Sequence, residues 1–245
     1  MRSLRALTRL LRVLGWVMWG WWRVRVAPRF ATLPPSEQAR VVEAWSREML
    51  RIMGIEVRIE GQPASGPVMM AANHISWLDI LVMHAACHCR FVAKSEIGHW
   101  PILGTLTTAG QSLYIERASS RDALRVVHHM HAALLQGDVL GVFPEAKTGD
   151  GVDLLPFHGN LLQAAISADV PIQPVALRFA DAQTQAVSFA PCYLSEDTLV
   201  GSVWRTLCAP PLLAQVRYGL PERAHGRSRR QWAGDLQRTI KHLLK

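Results

Sequence analysis

Leu4, Leu7, Leu11 and Leu14 recur at helical spacing at the start of the chain, and Arg2, Arg5, Arg9 and Arg12 recur at the same spacing out of phase with them. The two sets fall on opposite faces, so the pattern predicts a strongly amphipathic helix. It runs into residues 13–22, an uncharged stretch carrying Trp16, Trp19, Trp21 and Trp22, before Arg23 and Arg25 restore charge. That stretch is half of the roughly 20 apolar residues that a membrane-crossing helix needs. Arginine on one face and tryptophan at the end describe instead an element lying in the lipid headgroup layer. Two readings compete with it: a cleaved signal peptide, which lacks a small-residue cleavage pattern, and a soluble helix docked on the core, for which clustered tryptophans are an unusual cover.

Pro34 and Pro35 end this region. Ser36 offers an N-cap for a helix through Met53, closed by Gly54. Strands and helices then alternate. Residues 57–60 and 68–72 read as strands, and a helix begins near Trp77. A strand follows at 90–93, a helix started by Pro101 at 100–109, a strand at 113–115 and a longer helix at 121–136. Residues 139–143 are apolar without alternation, as expected of a strand covered on both faces. Residues 160–168 read as helix, with strands at 172–179 and 185–189. The tail from 227 to 244 is a basic amphipathic helix or a frayed extension. The pattern predicts an α/β fold, a single mixed sheet flanked by helices. It divides into a membrane-anchoring helix at 1–35, an α/β domain at 36–215 and a basic C-terminal tail at 216–245.

Charge is distributed unevenly. The 245 residues carry a formal net charge of +8, yet residues 1–36 hold seven arginines and no acid, and residues 217–245 hold eight Lys/Arg against Glu222 and Asp235. The body between them is therefore acidic. A nucleic-acid groove would spread Lys/Arg across the core and interleave stacking aromatics, so nucleic acid is not an expected partner. An anionic lipid surface is. The cysteines Cys87, Cys89, Cys192 and Cys208 are too few and too irregular for a disulfide scaffold, which points to a reducing compartment. Cys87-His88-Cys89 alternates where zinc ligands are usually spaced two or more apart, and no second pair follows, so no metal ligand set is expected.

The segment Asn73-His74-Ile75-Ser76-Trp77-Leu78-Asp79 lies where a strand ends and a helix begins, the favoured position for sites in open α/β sheets. On one continuous helix His74 and Asp79 would stand about 140° apart, so they meet only if His74 precedes the helix and Asp79 lies in its first turn. Ser76 supplies that break, and Ser76-x-x-Asp79 matches a capping box. The same spacing leaves open that Asp79 merely caps a helix. An imidazole so placed could take the proton of an attacking alcohol, with the carboxylate fixing its tautomer. Ser76 reads as a cap before a nucleophile.

These residues resemble the N-H-x-x-x-x-D signature of the glycerolipid acyltransferases of the 1-acyl-sn-glycerol-3-phosphate acyltransferase type, and further blocks follow in order. Residues 110–117, ending Glu116-Arg117, are similar to the second block. Phe143-Pro144-Glu145-Ala146-Lys147-Thr148 looks like the third, and Val170-Pro171-Ile172-Gln173-Pro174-Val175 like the fourth. The resemblance covers about residues 36–205. It implies catalytic His74 and Asp79, with Asn73, Ser76, Arg117, Glu145 and Lys147 on the substrate side. Arg117 would hold the acceptor phosphate and Glu145 the glycerol portion. It also implies direct attack without an acyl-enzyme, no cofactor, and acyl-CoA or acyl-carrier protein as donor substrate. The acceptor would be a lysophospholipid, and the place the cytoplasmic face of a bacterial inner membrane.

The chain departs from the pattern at three places. Gln111 stands where the family has glycine, and Ala146 and Lys147 replace glycine and threonine in the third block. The Ala146 change is sterically small if the backbone angle there is negative. Lys147 adds a cation beside the expected phosphate site. Phosphatidic acid is the expected product. Acylation of a lyso-ornithine lipid, metal-dependent phosphoester hydrolysis through His74 and Asp79, and a non-catalytic lipid-binding role stay open as alternatives.

Overall fold

The computed structural model describes residues 2–27, 29–115 and 120–245. Along the chain, the described elements begin with α1 (Arg2–Arg25), α2 (Arg29–Thr32), α3 (Pro35–Met53), β1 (Ile55–Glu60), β2 (Val68–Ala72) and α4 (Leu78–Ala86). They continue with β3 (Arg90–Lys94), α5 (Ser95–Gly98), α6 (Leu103–Ala109), β4 (Leu113–Ile115), α7 (Ser120–Leu135), β5 (Val139–Val142) and α8 (Gln163–Ala168). The chain then forms β6 (Ile172–Asp181), α9 (Leu199–Cys208), β7 (Leu212–Tyr218) and α10 (Arg229–Leu243). The strands form one sheet in the order β1-β7-β6-β2-β5-β3-β4. All pairs are parallel except β6 with β7, so the sheet is mixed, as the alternation of elements predicts.

β2 lies near the middle and every one of its residues is buried. Its side chains alternate between two cores. Met70 and Ala72 pack with Leu50, Leu78 and Leu177 on one face, and Met69 and Ala71 with Leu134, Leu140 and Trp232 on the other. An unbroken apolar run is what a strand covered on both faces requires.

α1 is docked, and it still leaves its leucines outside. Ala6 is buried, and Leu10, Val13, Trp16 and Val17 pack on the core, whereas Leu4, Leu7, Leu11 and Leu14 are exposed together with Met18 and Trp22. Gly20 allows the close approach to α3, because a Cβ there would sit 2.5 Å from Nε1 of Trp45. The indoles of Trp16 and Trp45 each donate to the other's backbone carbonyl, at 3.1 and 3.4 Å. Arg5 and Arg9 point to neither water nor lipid alone. Arg9 donates to the carbonyls of Leu207 and Ala209, both at 3.1 Å, and Arg5 to Ala209 at 3.3 Å, answering the orphan carbonyls and negative dipole at the end of α9.

Several expectations are corrected. α3 starts at Pro35, with Pro at N1 and no side-chain cap, because a missing N–H costs nothing in the first turn; Ser36 is inside the helix. The helix expected at 100–109 starts only at Leu103, as α6, and a separate short helix, α5, precedes it, packed so closely that a Cβ on Gly104 would lie 2.3 Å from the carbonyl oxygen of Gly98. Residues 185–189 form only a bridge, Ala180 to Val187. The boundary at 216 cuts through β7, and the tail is no appendage. Ser228 and Gln231 form a capping box at the start of α10, which buries Trp232, Ala233, Leu236 and Ile240 in the core.

Candidate active site

The site forms where β2 ends and α4 begins. His74 precedes the helix and Asp79 sits in its first turn, with Nδ1 of His74 2.8 Å from Oδ2 of Asp79. The same Oδ2 accepts the backbone N–H groups of Ile75 at 2.6 Å and Ser76 at 2.9 Å. Asp79 is fully buried, and its Oδ1 has no partner. A buried carboxylate facing three donors on one oxygen fixes the proton of the neutral imidazole on Nδ1 and leaves Nε2 as the free acceptor. The His74 ring stacks on Phe143, with centroids 4.0 Å apart, and its side chain is 20% exposed.

The backbone around His74 is fully pinned. Its N–H donates to Oε1 of Glu145 at 2.7 Å, and its carbonyl accepts from Gly149 at 2.8 Å. The carbonyl of Ile75 accepts from Tyr193 at 3.0 Å. Glu145 spends its second oxygen, Oε2, on the N–H of Leu155 at 2.8 Å. Burial pushes the Glu145 carboxyl above the usual carboxylate range, against the lowering effect of those two N–H bonds. Glu145 therefore ties the third block to the histidine loop, each of its oxygens accepting one backbone N–H.

Two further expectations change for the same reason. Asn73 is 1% exposed, and its amide exchanges two hydrogen bonds with the backbone of Leu177, at 2.9 and 2.7 Å. It clamps β2 to β6 and does not reach a substrate. Ser76 is fully buried, and its Oγ accepts from the N–H of Leu78 at 3.3 Å. The capping box is half formed: Asp79 accepts from the Ser76 N–H, but the Ser76 Oγ meets Leu78 in place of the Asp79 N–H, and α4 begins after Trp77. Lys147 is exposed on the loop after β5. Arg117 lies outside the described residues.

Both replaced glycines sit in the left-handed region. Gln111 has φ +59° and Ala146 φ +61°, so the condition under which the Ala146 change would be small is not met. A non-glycine residue there carries steric cost. Ala146→Gly is expected to raise stability by about 1 kcal/mol, read as a shift in the urea midpoint at unchanged slope.

His74 opens onto an apolar cavity of about 1070 Å³ lined by Val17 and Gly20 of α1, Val42 and Trp45 of α3, and Leu81 and His84 of α4, among others. This exceeds the range of about 300–1,000 Å³ usual for ligand sites. An imidazole with a free acceptor nitrogen at the wall of so large an apolar space suits proton abstraction from a group attached to a long hydrocarbon. Neither the cavity nor Phe143 as the platform under His74 is legible in the motif; the apolar residues that line it read simply as core.

A family model described as Acyltransferase matches residues 54–178. A lyso-ornithine lipid O-acyltransferase of Pseudomonas aeruginosa is 30% identical over all of this chain and 95% of its own length. A 1-acyl-sn-glycerol-3-phosphate acyltransferase of Neisseria gonorrhoeae is 35% identical over 75% of this chain and 72% of its own. The crystal structure of a 1-acyl-sn-glycerophosphate acyltransferase from Thermotoga maritima shares the fold, with a TM-score of 0.73 at 18% identity, covering all of this chain and 96% of that one. The matched residues span the strand-to-helix junction that holds His74 and Asp79 and the loop that holds Glu145, and on them the chain belongs to the acyltransferase family.

Proposed function

We propose that the chain is an O-acyltransferase that moves a fatty acyl group from a thioester, acyl-CoA or acyl-carrier protein, to the free hydroxyl of 1-acyl-sn-glycerol 3-phosphate, giving phosphatidic acid. The single observation that carries the chemistry is the 2.8 Å contact between Nδ1 of His74 and Oδ2 of Asp79 at the cavity wall. Nε2 takes the proton of the acceptor hydroxyl as its oxygen bonds to the thioester carbonyl carbon. The tetrahedral intermediate then expels the thiolate, which receives that proton from the imidazolium and leaves as thiol. Asp79 stabilises the imidazolium between the two steps. No side-chain nucleophile takes part, since Ser76 is buried in its capping bond. Lys147, exposed on the loop that follows Glu145, offers a cation for the acceptor phosphate.

A lyso-ornithine lipid is the second reading of the acceptor, favoured by the relative of that name that matches over the whole chain. The test crosses both lysolipids with acyl-CoA and acyl-carrier protein, following thiol release and the diacylated product. Thiol release that depends on a lysolipid is the expected result. Its absence with every acceptor would contradict the assignment.

The lipid nature of the acceptor gives the exposed leucine stripe of α1 a role. No described helix is long and apolar enough to cross a membrane. A docked helix that turns Leu4, Leu7, Leu11 and Leu14 outward instead seats the protein in the headgroup layer, with the cavity beside it, on the cytoplasmic face of a bacterial inner membrane. The residues 1–35 act as the attachment region in this reading. Changing Leu7, Leu11 and Leu14 together to glutamate is expected to weaken binding to anionic vesicles by at least about tenfold, with the melting temperature held. Unchanged sedimentation with the vesicles would count against attachment through α1.

A further inference from the structure

His84 is the anomaly in the cavity wall. It is almost fully buried on α4, lines the apolar space, and makes no hydrogen bond through either ring nitrogen. Nδ1 is sealed from solvent without a partner, whereas Nε2 is not sealed and lies on the side of Gly110, where a Cβ would come to 3.3 Å. Glycine at 110 thus keeps that nitrogen clear. Ser46 of α3 lines the same cavity with its Oγ also buried and unpartnered. α3 and α4 are tied together there, Arg47 donating from Nε to the carbonyl of Ala85 at 2.7 Å. An unmade hydrogen bond of this kind costs about 1–3 kcal/mol, so an open Nε2 in a greasy wall calls for a polar group inside the cavity.

We propose that His84 is a specificity subsite that takes a hydroxyl carried well down an acyl chain. The chemistry selects the group. Burial lowers the His84 pKa to about 3, so the ring is neutral and offers one donor and one acceptor, which a hydroxyl can answer in either sense. A carboxylate at this wall would have to shed its water against apolar side chains and a neutral ring. The place selects the position. From His74 the wall runs through Phe143, Phe91 and His84, with ring centroids 4.0, 5.6 and 5.2 Å apart in turn and the first three rings nearly parallel. His84 therefore lies three ring contacts from the reacting centre, several methylenes beyond an acyl carbonyl held at His74. This subsite rests on the acyl-transfer reading above and names the chain that the reaction prefers.

The experiment compares kcat/KM for acyl-CoA donors of one chain length, unsubstituted and hydroxylated at successive carbons, and repeats the series with the hydroxyl on the chain of the lysophosphatidic acid acceptor. In one of the two series a mid-chain or distal hydroxy isomer is expected to exceed the unsubstituted chain by about tenfold or more. His84→Phe should abolish that preference, and His84→Gln, which retains a donor and an acceptor, should keep part of it. Equal turnover of all chains, a preference confined to the 2- and 3-hydroxy chains, or a preference that survives His84→Phe overturns the subsite alone. Failure of every chain to turn over in the wild-type protein overturns the acyl-transfer reading, and the subsite with it.

Discussion

His74→Ala is expected to lower the rate of acyl transfer by about 10²–10⁴-fold, the range that positioned general bases contribute, while the protein keeps its fold. The reason lies in what the side chain does and does not hold. The turn at residue 74 is fastened by backbone bonds to Glu145 and Gly149, and these survive the loss of the ring. The imidazole gives up a stacking contact with Phe143 and its bond to Asp79, and the side chain is already partly exposed to the cavity. The loss should fall on kcat with KM for both substrates nearly unchanged, because a base acts on a proton that moves only in the transition state. Steady-state kinetics of thiol release, with a melting curve as control, measures both. An equal effect on KM, or a melting temperature brought down with the rate, would assign His74 to structure.

Asp79→Asn should cost as much activity through a different route. Oδ2 alone meets Nδ1 of His74 and the N–H groups of Ile75 and Ser76, so an asparagine oxygen in that place keeps all three contacts, and the amide nitrogen takes the partnerless place of Oδ1. What is lost is the negative charge that stabilises the imidazolium as Nε2 takes the proton of the alcohol. A buried aspartate in the same relation to a histidine in serine hydrolases is worth about 10⁴-fold, and a loss of about 10³–10⁴-fold is expected here. The substitution also trades charge-assisted bonds for neutral ones, for about 1–3 kcal/mol of stability. Asp79→Ala would be worse for folding, since it leaves two buried N–H groups unpaired at the start of α4. Activity of Asp79→Asn near the wild-type level would show that the carboxylate is only a helix cap.

The parts of this site that could be read from sequence are those set by local spacing. His74 before a helix and Asp79 within its first turn follow from the five-residue interval and the break at Ser76, and the buried strands β2 and β5 follow from unbroken apolar runs. What could not be read depends on distant partners or on backbone sign. Asn73 looks like a substrate ligand beside His74 until Leu177, 104 residues away, is found holding both ends of its amide. Glu145 likewise looks free until the N–H groups of His74 and Leu155 close on it. No residue type at 146 announces φ +61°. β7 has no alternation to announce it, because it is buried on both faces. The charge of the C-terminal segment leaves open whether its amphipathic helix frays or docks, and its inner face, with Trp232 and Leu236, is buried in the core.

The leucine stripe of α1 marks a middle case. Its periodicity was readable, and so was the opposing arginine face. The docking face, Ala6, Leu10, Val13 and Val17, is a third side of the same helix. Two of the arginines bind the end of α9, which sequence spacing alone cannot distinguish from contact with lipid.

The most direct test of the mechanism is the position of the ring proton on His74. Nitrogen-15 NMR of the histidine-labelled protein, with His74 assigned by its loss in His74→Ala and the ring in its neutral form, reports the tautomer. A proton on Nδ1 and a bare Nε2 is the expected result. A proton on Nε2 in the wild-type protein would leave no base facing the acceptor hydroxyl and would contradict the mechanism.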